Sequence, residues 1–136
     1  MGREPTRVKR GVVMGPAGRM DGQTKATLEA IDRFNQAFGR HDVDGVMRAM
    51  TDDCVFENTC PPPDGERYDG QEEVRGFWER FFRSSPGAVF ETEEIFAAGD
   101  RCVLRWLYRW VDGDGKPGHI RGVDVLRVRD GKVAEK

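Results

Sequence analysis

The sequence predicts an α+β fold in which three N-terminal helices pack on one face of a curved, mostly antiparallel sheet. Two observations carry this. Apolar residues recur at helical spacing in three segments before Ser85, and from Val89 onward they alternate with period two between glycine-containing turns. At 136 residues the chain is long enough for one core and too short for two.

The elements follow in order. Residues 1–22 hold Arg3, Arg7, Lys9, Arg10 and Arg19 among glycines and prolines without an amphipathic period, which predicts a flexible basic tail ahead of a domain over 23–136. Met20 is a candidate native start within it. From Thr24 to about Arg40, Leu28, Ile31, Phe34, Ala37 and Phe38 form a helical stripe. Asp42 then caps a short helix with Val43, Val46, Met47 and Met50 inward. Thr51-Asp52-Asp53 reads as a turn and Cys54 to Asn58 as a short strand. Cys60-Pro61-Pro62-Pro63-Asp64-Gly65 is a loop, because proline has no N–H for a ladder. Tyr68-Asp69-Gly70 leads into a third helix, Gln71 to about Ser84, with Val74, Phe77, Trp78, Phe81 and Phe82 on a wide aromatic face. Strands over Val89 to Ala97, Cys102 to Val111 and His119 to Arg129 follow, with Val133-Ala134-Glu135-Lys136 starting another. Gly99-Asp100, Asp112-Gly113-Asp114-Gly115 and Asp130-Gly131-Lys132 mark the turns.

Composition removes several function classes. A formal charge of -2 with 34% charged residues gives no basic field for nucleic acid, and no apolar run approaches a membrane span. Cys54, Cys60 and Cys102 have neither disulfide-framework nor zinc spacing, so a reducing, cytoplasmic setting is expected. There is no phosphate loop, no Gly-x-Ser-x-Gly elbow and no His pair at metal spacing, so no cofactor and no metal is expected.

The remaining chemistry centres on Asp124. Strand parity puts Ile120, Gly122, Asp124, Leu126 and Val128 on one face, apolar except for a single carboxylate. A carboxyl there needs a hydrogen-bond partner or stays protonated, which makes it a candidate proton donor or acceptor. The alternative is a structural pairing, such as with an arginine on a neighbouring strand. His119 lies five residues before Asp124, an odd separation that points it to the opposite face. Phe34, Phe38, Phe56, Trp78, Phe82, Trp106 and Tyr108 would enclose an apolar volume with few polar groups, among them Asp124 and Asn58, a composition suited to a small hydrophobic molecule. Otherwise these rings fill the core.

The order of elements, together with Phe34 to Gly45, Met50 to Asn58, Tyr68-Asp69-Gly70-Gln71 and Val123 to Val133, resembles the nuclear transport factor 2-like superfamily, in its SnoaL-like and ketosteroid-isomerase-like branches. The resemblance implies a cone-shaped, cystatin-like α+β domain with a pocket between the long helix and the sheet, and a homodimer packed through the sheet. It implies for Asp124 the role of the acid that serves an oxyanion in ketosteroid isomerases, or of the general acid/base of polyketide cyclases, with no cofactor. Asn58 and Tyr108 would donate hydrogen bonds to developing negative charge. The isomerase's oxyanion tyrosine falls on Phe34 and its base on Asn58, neither able to do that work, which argues against a true ketosteroid isomerase. Arg105-Trp106-Leu107 lacks the aspartate of limonene epoxide hydrolases. In relatives the last strand runs several residues past the position of Lys136, so either the sequence stops inside that strand or the cone is unusually open. The reading is an acid/base isomerase or cyclase acting on a hydrophobic carbonyl compound, or a non-catalytic ligand-binding or dimerisation module.

Overall fold

The computed structural model describes residues 21–136; the expected basic tail, up to Met20, lies outside them. The first helix, α1 (Gly22–Gly39), starts two residues before the expected Thr24, because the Asp21 carboxylate accepts the Thr24 N–H at 2.6 Å and caps it. Its buried face carries Ile31, Phe34, Ala37 and Phe38. Thr27 Oγ1 donates to the Gly99 carbonyl at 2.7 Å and Gly99 N–H donates to Thr24 Oγ1 at 2.9 Å, which locks the start of α1 to a distant turn.

Asp42 caps α2 (Val43–Arg48) through the Gly45 N–H at 3.0 Å. Met50 is the first residue of β1 (Met50–Glu57) rather than part of that helix, and the turn expected at Thr51-Asp52-Asp53 is strand. Pairing with the last strand overrides the local turn preference of the two aspartates. Its register breaks between Met50 and Val55, and the exposed Asp53 pairs with Arg129. A three-residue strand, β2 (Arg67–Asp69), precedes α3 (Gly70–Ser84). It is too short to show a period, so its residues had read as the approach to the helix. Gln71 Nε2 donates to the carbonyls of Met47, Met50 and Thr51 at 3.0, 3.2 and 3.0 Å, tying α3 to α2 and β1.

The rest is β3 (Val89–Ala98), β4 (Arg101–Val111), β5 (Pro117–Arg129) and β6 (Lys132–Glu135). The six strands form one sheet in the order β2-β1-β6-β5-β4-β3, antiparallel except for the β1–β6 pair. The alternation read along β4 and β5 holds: Cys102, Leu104, Leu126 and Val128 are buried on the face that α1 covers, while Arg105, Val123, Val125 and Arg127 face outward. Ile31, Phe34, Val46, Met50, Val74, Leu126 and Val133 make the centre of the core between helices and sheet. Among the described residues no helix is long and apolar enough to cross a membrane.

Candidate functional site

Beside that core, between α1, α3 and the inner face of the sheet, lies a cavity of about 660 Å³. Its walls are rings: Phe34 and Phe38 from α1, Phe56 from β1, Phe77, Trp78 and Phe81 from α3, Phe90 from β3, and Trp106 and Tyr108 from β4. Phe82 is not part of the lining. It lies buried beyond Phe38, with ring centroids 5.0 Å apart, and stacks on His41 at 4.5 Å. The α3 face is wide enough that Phe77 and Phe81 meet the cavity while Phe82 serves the core.

Polar residues also line the cavity, among them Glu57, Asn58, Arg67 and Arg101, and one charged pair lies against the rings. Asp124 projects from the inner face of β5, and its Oδ2 accepts a 2.8 Å hydrogen bond from Lys136 Nζ. The Lys136 side chain is 9% exposed and that of Asp124 19%. The ammonium lies 5.8, 5.5, 5.8 and 5.3 Å from the ring centroids of Phe34, Phe38, Phe56 and Trp78. Four ring faces and one carboxylate replace water around the cation. The backbone beneath it is fixed, since Lys136 N–H donates to the Val55 carbonyl at 3.0 Å and its own carbonyl accepts from Glu57 N–H at 2.9 Å. Asp124 therefore has its partner, and it is Lys136 rather than the neighbouring arginine considered from the sequence. Sequence reasoning missed Lys136. The available signal was its shared parity with the buried Ala134, but only the parallel β1–β6 pairing, invisible locally, carries that side chain under the rings.

Charge from this pair reaches one more group. Cys102, 1% exposed, pairs with Leu126 two residues along from Asp124, and burial first, then the Asp124 charge, push its thiol up to about 12. It is an inert core thiol. Burial likewise raises Cys54, and only Cys60 is exposed.

Asn58 and Tyr108 border the same cavity, and neither is hydrogen-bonded to Asp124. Asn58 follows the end of β1, its Oδ1 accepts the Thr59 N–H at 2.8 Å, and its own N–H donates to the Glu66 carbonyl at 2.8 Å. Gly65, at φ +76°, closes this loop so tightly that a Cβ there would lie 1.7 Å from the Asn58 carbonyl oxygen. Tyr108 is opposite Ile120, whereas Asp124 is opposite Leu104. Four residues of strand, roughly 13 Å, separate the two levels. Tyr108 instead stacks on Phe90 at 4.5 Å. His119 is exposed on the outer parity, away from Asp124.

Two glycines shape the wall. Gly122 faces Trp106 and Gly118 faces Trp110 across the β4–β5 ladder, and a Cβ at either position would meet an indole at 2.3 and 2.6 Å respectively. The indoles lie over bare backbone, which keeps them flat against the sheet. The indole N–H groups of Trp78 and Trp106 are buried with no hydrogen-bond partner among the described residues. Also among the described residues, no cluster of His, Cys, Asp and Glu has metal-binding geometry.

Residues 31–136 match the SnoaL-like domain. No curated protein matches the chain. A nuclear transport factor 2-like protein of unknown function from Mesorhizobium loti is 38% identical, with a TM-score of 0.73 over 86% of this chain and 92% of its own. Two more distant structures share the fold. TerC, co-crystallised with polyporic acid, is 21% identical with a TM-score of 0.69, covering 81% of this chain and 87% of its own. A Mycobacterium tuberculosis protein in complex with estradiol-17β-hemisuccinate is 23% identical with a TM-score of 0.67, covering 81% and 89%. With helices, sheet order and match all agreeing over most of its length, the chain belongs to the SnoaL-like domain family, within the nuclear transport factor 2-like fold.

Proposed function

We propose that this protein binds a small, largely hydrophobic carbonyl compound in the aromatic cavity and moves a proton on it with Asp124, a cofactor-independent isomerase- or cyclase-type reaction. The observation that carries the proposal is the Asp124–Lys136 pair, largely buried and held against four of the rings. Apolar walls supply affinity through area removed from water, and this pair orients the ligand oxygen. Paired with the Lys136 amine, Asp124 acts as a base on the carbon beside the carbonyl, and Lys136 faces the oxygen on which charge develops. Of the two roles expected for Asp124, proton donor or proton acceptor, the pairing with Lys136 favours the acceptor. Asn58 and Tyr108, at other levels of the cavity, contact the remainder of the ligand. The ligands of TerC and of the mycobacterial protein support the class of molecule.

On the same reading the sheet curves into an open cone, two copies pack through their outer sheet faces, and the protein works in the cytoplasm. The test is titration of polycyclic enones and polyketide-like ketones against tryptophan fluorescence, followed by deuterium exchange at the carbon next to the carbonyl. Saturable quenching with exchange that Asp124→Asn abolishes supports catalysis. Quenching without exchange supports the non-catalytic binding module, and no quenching by any member of the panel rejects the reading.

A further inference from the structure

We propose that Lys136 is a covalent anchor: its amine condenses with the carbonyl carbon of the bound ligand to form an iminium held by Asp124 and the surrounding rings. The inference rests on the reading that the cavity takes a carbonyl compound, and extends it from a hydrogen bond to a bond.

Three observations lead here. Lys136 lines the cavity, and its Nζ lies within 5.8 Å of the centroids of four lining rings, so a carbonyl seated among those rings is close to the nitrogen. Asp124 Oδ2, at 2.8 Å, is positioned to take a proton from the ammonium and later return it. The third concerns the product. A neutral imine would lose the interactions that now hold the ammonium, but an iminium keeps the same positive charge at the same place. The four rings at 5.3–5.8 Å and the carboxylate that stabilise the ammonium therefore stabilise the adduct as well.

The step balances without any external reagent. The ammonium proton passes to the Asp124 carboxylate, and the freed lone pair attacks the carbonyl carbon, forming the C–N bond as the C=O π pair moves to oxygen. One proton shifts from nitrogen to that oxygen, giving a carbinolamine. Asp124 then protonates the hydroxyl, the C–O bond breaks, water leaves, and the nitrogen lone pair closes the C=N bond. Lysine ammonium plus carbonyl becomes iminium plus water, with Asp124 again a carboxylate. In the iminium the neighbouring C–H bonds are acidified, which places Asp124 beside the proton it is proposed to remove.

The experiment uses the whole chain with 2-naphthaldehyde as probe. Binding is first read by tryptophan quenching; sodium cyanoborohydride is then added, and the reduced adduct is followed by intact mass and located by peptide mapping. The exposed Lys25, Lys116 and Lys132 are internal controls in the same molecule. Lys136 is expected to be labelled at least about tenfold faster than any of them, one probe per chain, as expected for a reaction between bound partners. Asp124→Asn is expected to slow that labelling by about tenfold while quenching persists, and Lys136→Arg to abolish it while keeping the charge. Quenching with Lys136 labelled no faster than the three surface lysines overturns the covalent anchor and leaves the pocket reading standing. Absence of both quenching and Lys136 labelling overturns both.

Discussion

Cys102 ties the site to the stability of the fold through pH. Its thiol, with a reference value of 9.0, is pushed up to about 12 in the folded chain by burial and by Asp124. Below about pH 9 folded and unfolded chains both hold this proton; above it the unfolded chain loses the proton and the folded one keeps it, so stability falls as pH rises through the folded value. The loss is about 1.4 kcal/mol per pH unit in that window. Between about pH 8 and about pH 10.5, urea unfolding of wild type is expected to lose about 2 kcal/mol more than that of Cys102→Ala. Parallel curves would remove the assignment. The ion pair gives a second expectation. Asp124→Asn leaves the Lys136 ammonium among rings without its carboxylate, at a cost of about 3 kcal/mol. Combined with Lys136→Met, the double variant is expected to be less destabilised than the sum of the singles by at least about 1 kcal/mol. Additive unfolding energies would mean that the pair contributes nothing. The face on which Asp124 lies was legible from strand parity alone. Its partner was not, because parity says nothing about which distant strand pairs with which, and Lys136 arrives through a parallel neighbour.

At the scale of elements, the helices were legible because one stripe of apolar residues repeats over several turns, as in α1 and α3, and β4 and β5 because alternation persists over ten residues or more. What failed was short or contested. β2 has three residues, and in β1 the turn preference of Asp52 and Asp53 lost to a pairing set elsewhere in the chain. Glycine in a strand interior marks a close approach, and at Gly118 and Gly122 of β5 an indole lies down. Gly122→Ala puts a methyl where the Trp106 ring now lies, with ring atoms within 2.9 Å, so the indole must lift toward the cavity. The expected outcome is a loss of about 1–3 kcal/mol in urea unfolding together with weaker ligand quenching. Unchanged quenching would show that Trp106 has room to move without narrowing the site.

For the molecule as a whole, the decisive asymmetry is between the two faces of the sheet. The inner face is covered by helices and rings. On the outer face Val123 and Val125 are 56% and 52% exposed, Val103 lies opposite Val125 in the ladder, and Leu107 stands on the same face of β4. Charged pairs surround this strip: Arg105 with Glu94 and Arg121 with Glu93, both at 2.9 Å, and Arg109 with Glu91. Exposed pairs of this kind add little stability to a monomer. An apolar centre inside a charged rim is instead the anatomy of an interface, and a strand pattern repeated on a second copy supplies a matching surface. The proposed dimer therefore buries Val123 and Val125, and Val125→Arg, which sets an unpaired charge into that centre, is expected to give a monomer in sedimentation equilibrium where wild type is a dimer. A wild-type monomer, or a Val125→Arg dimer, would show that this strip is not where two copies meet.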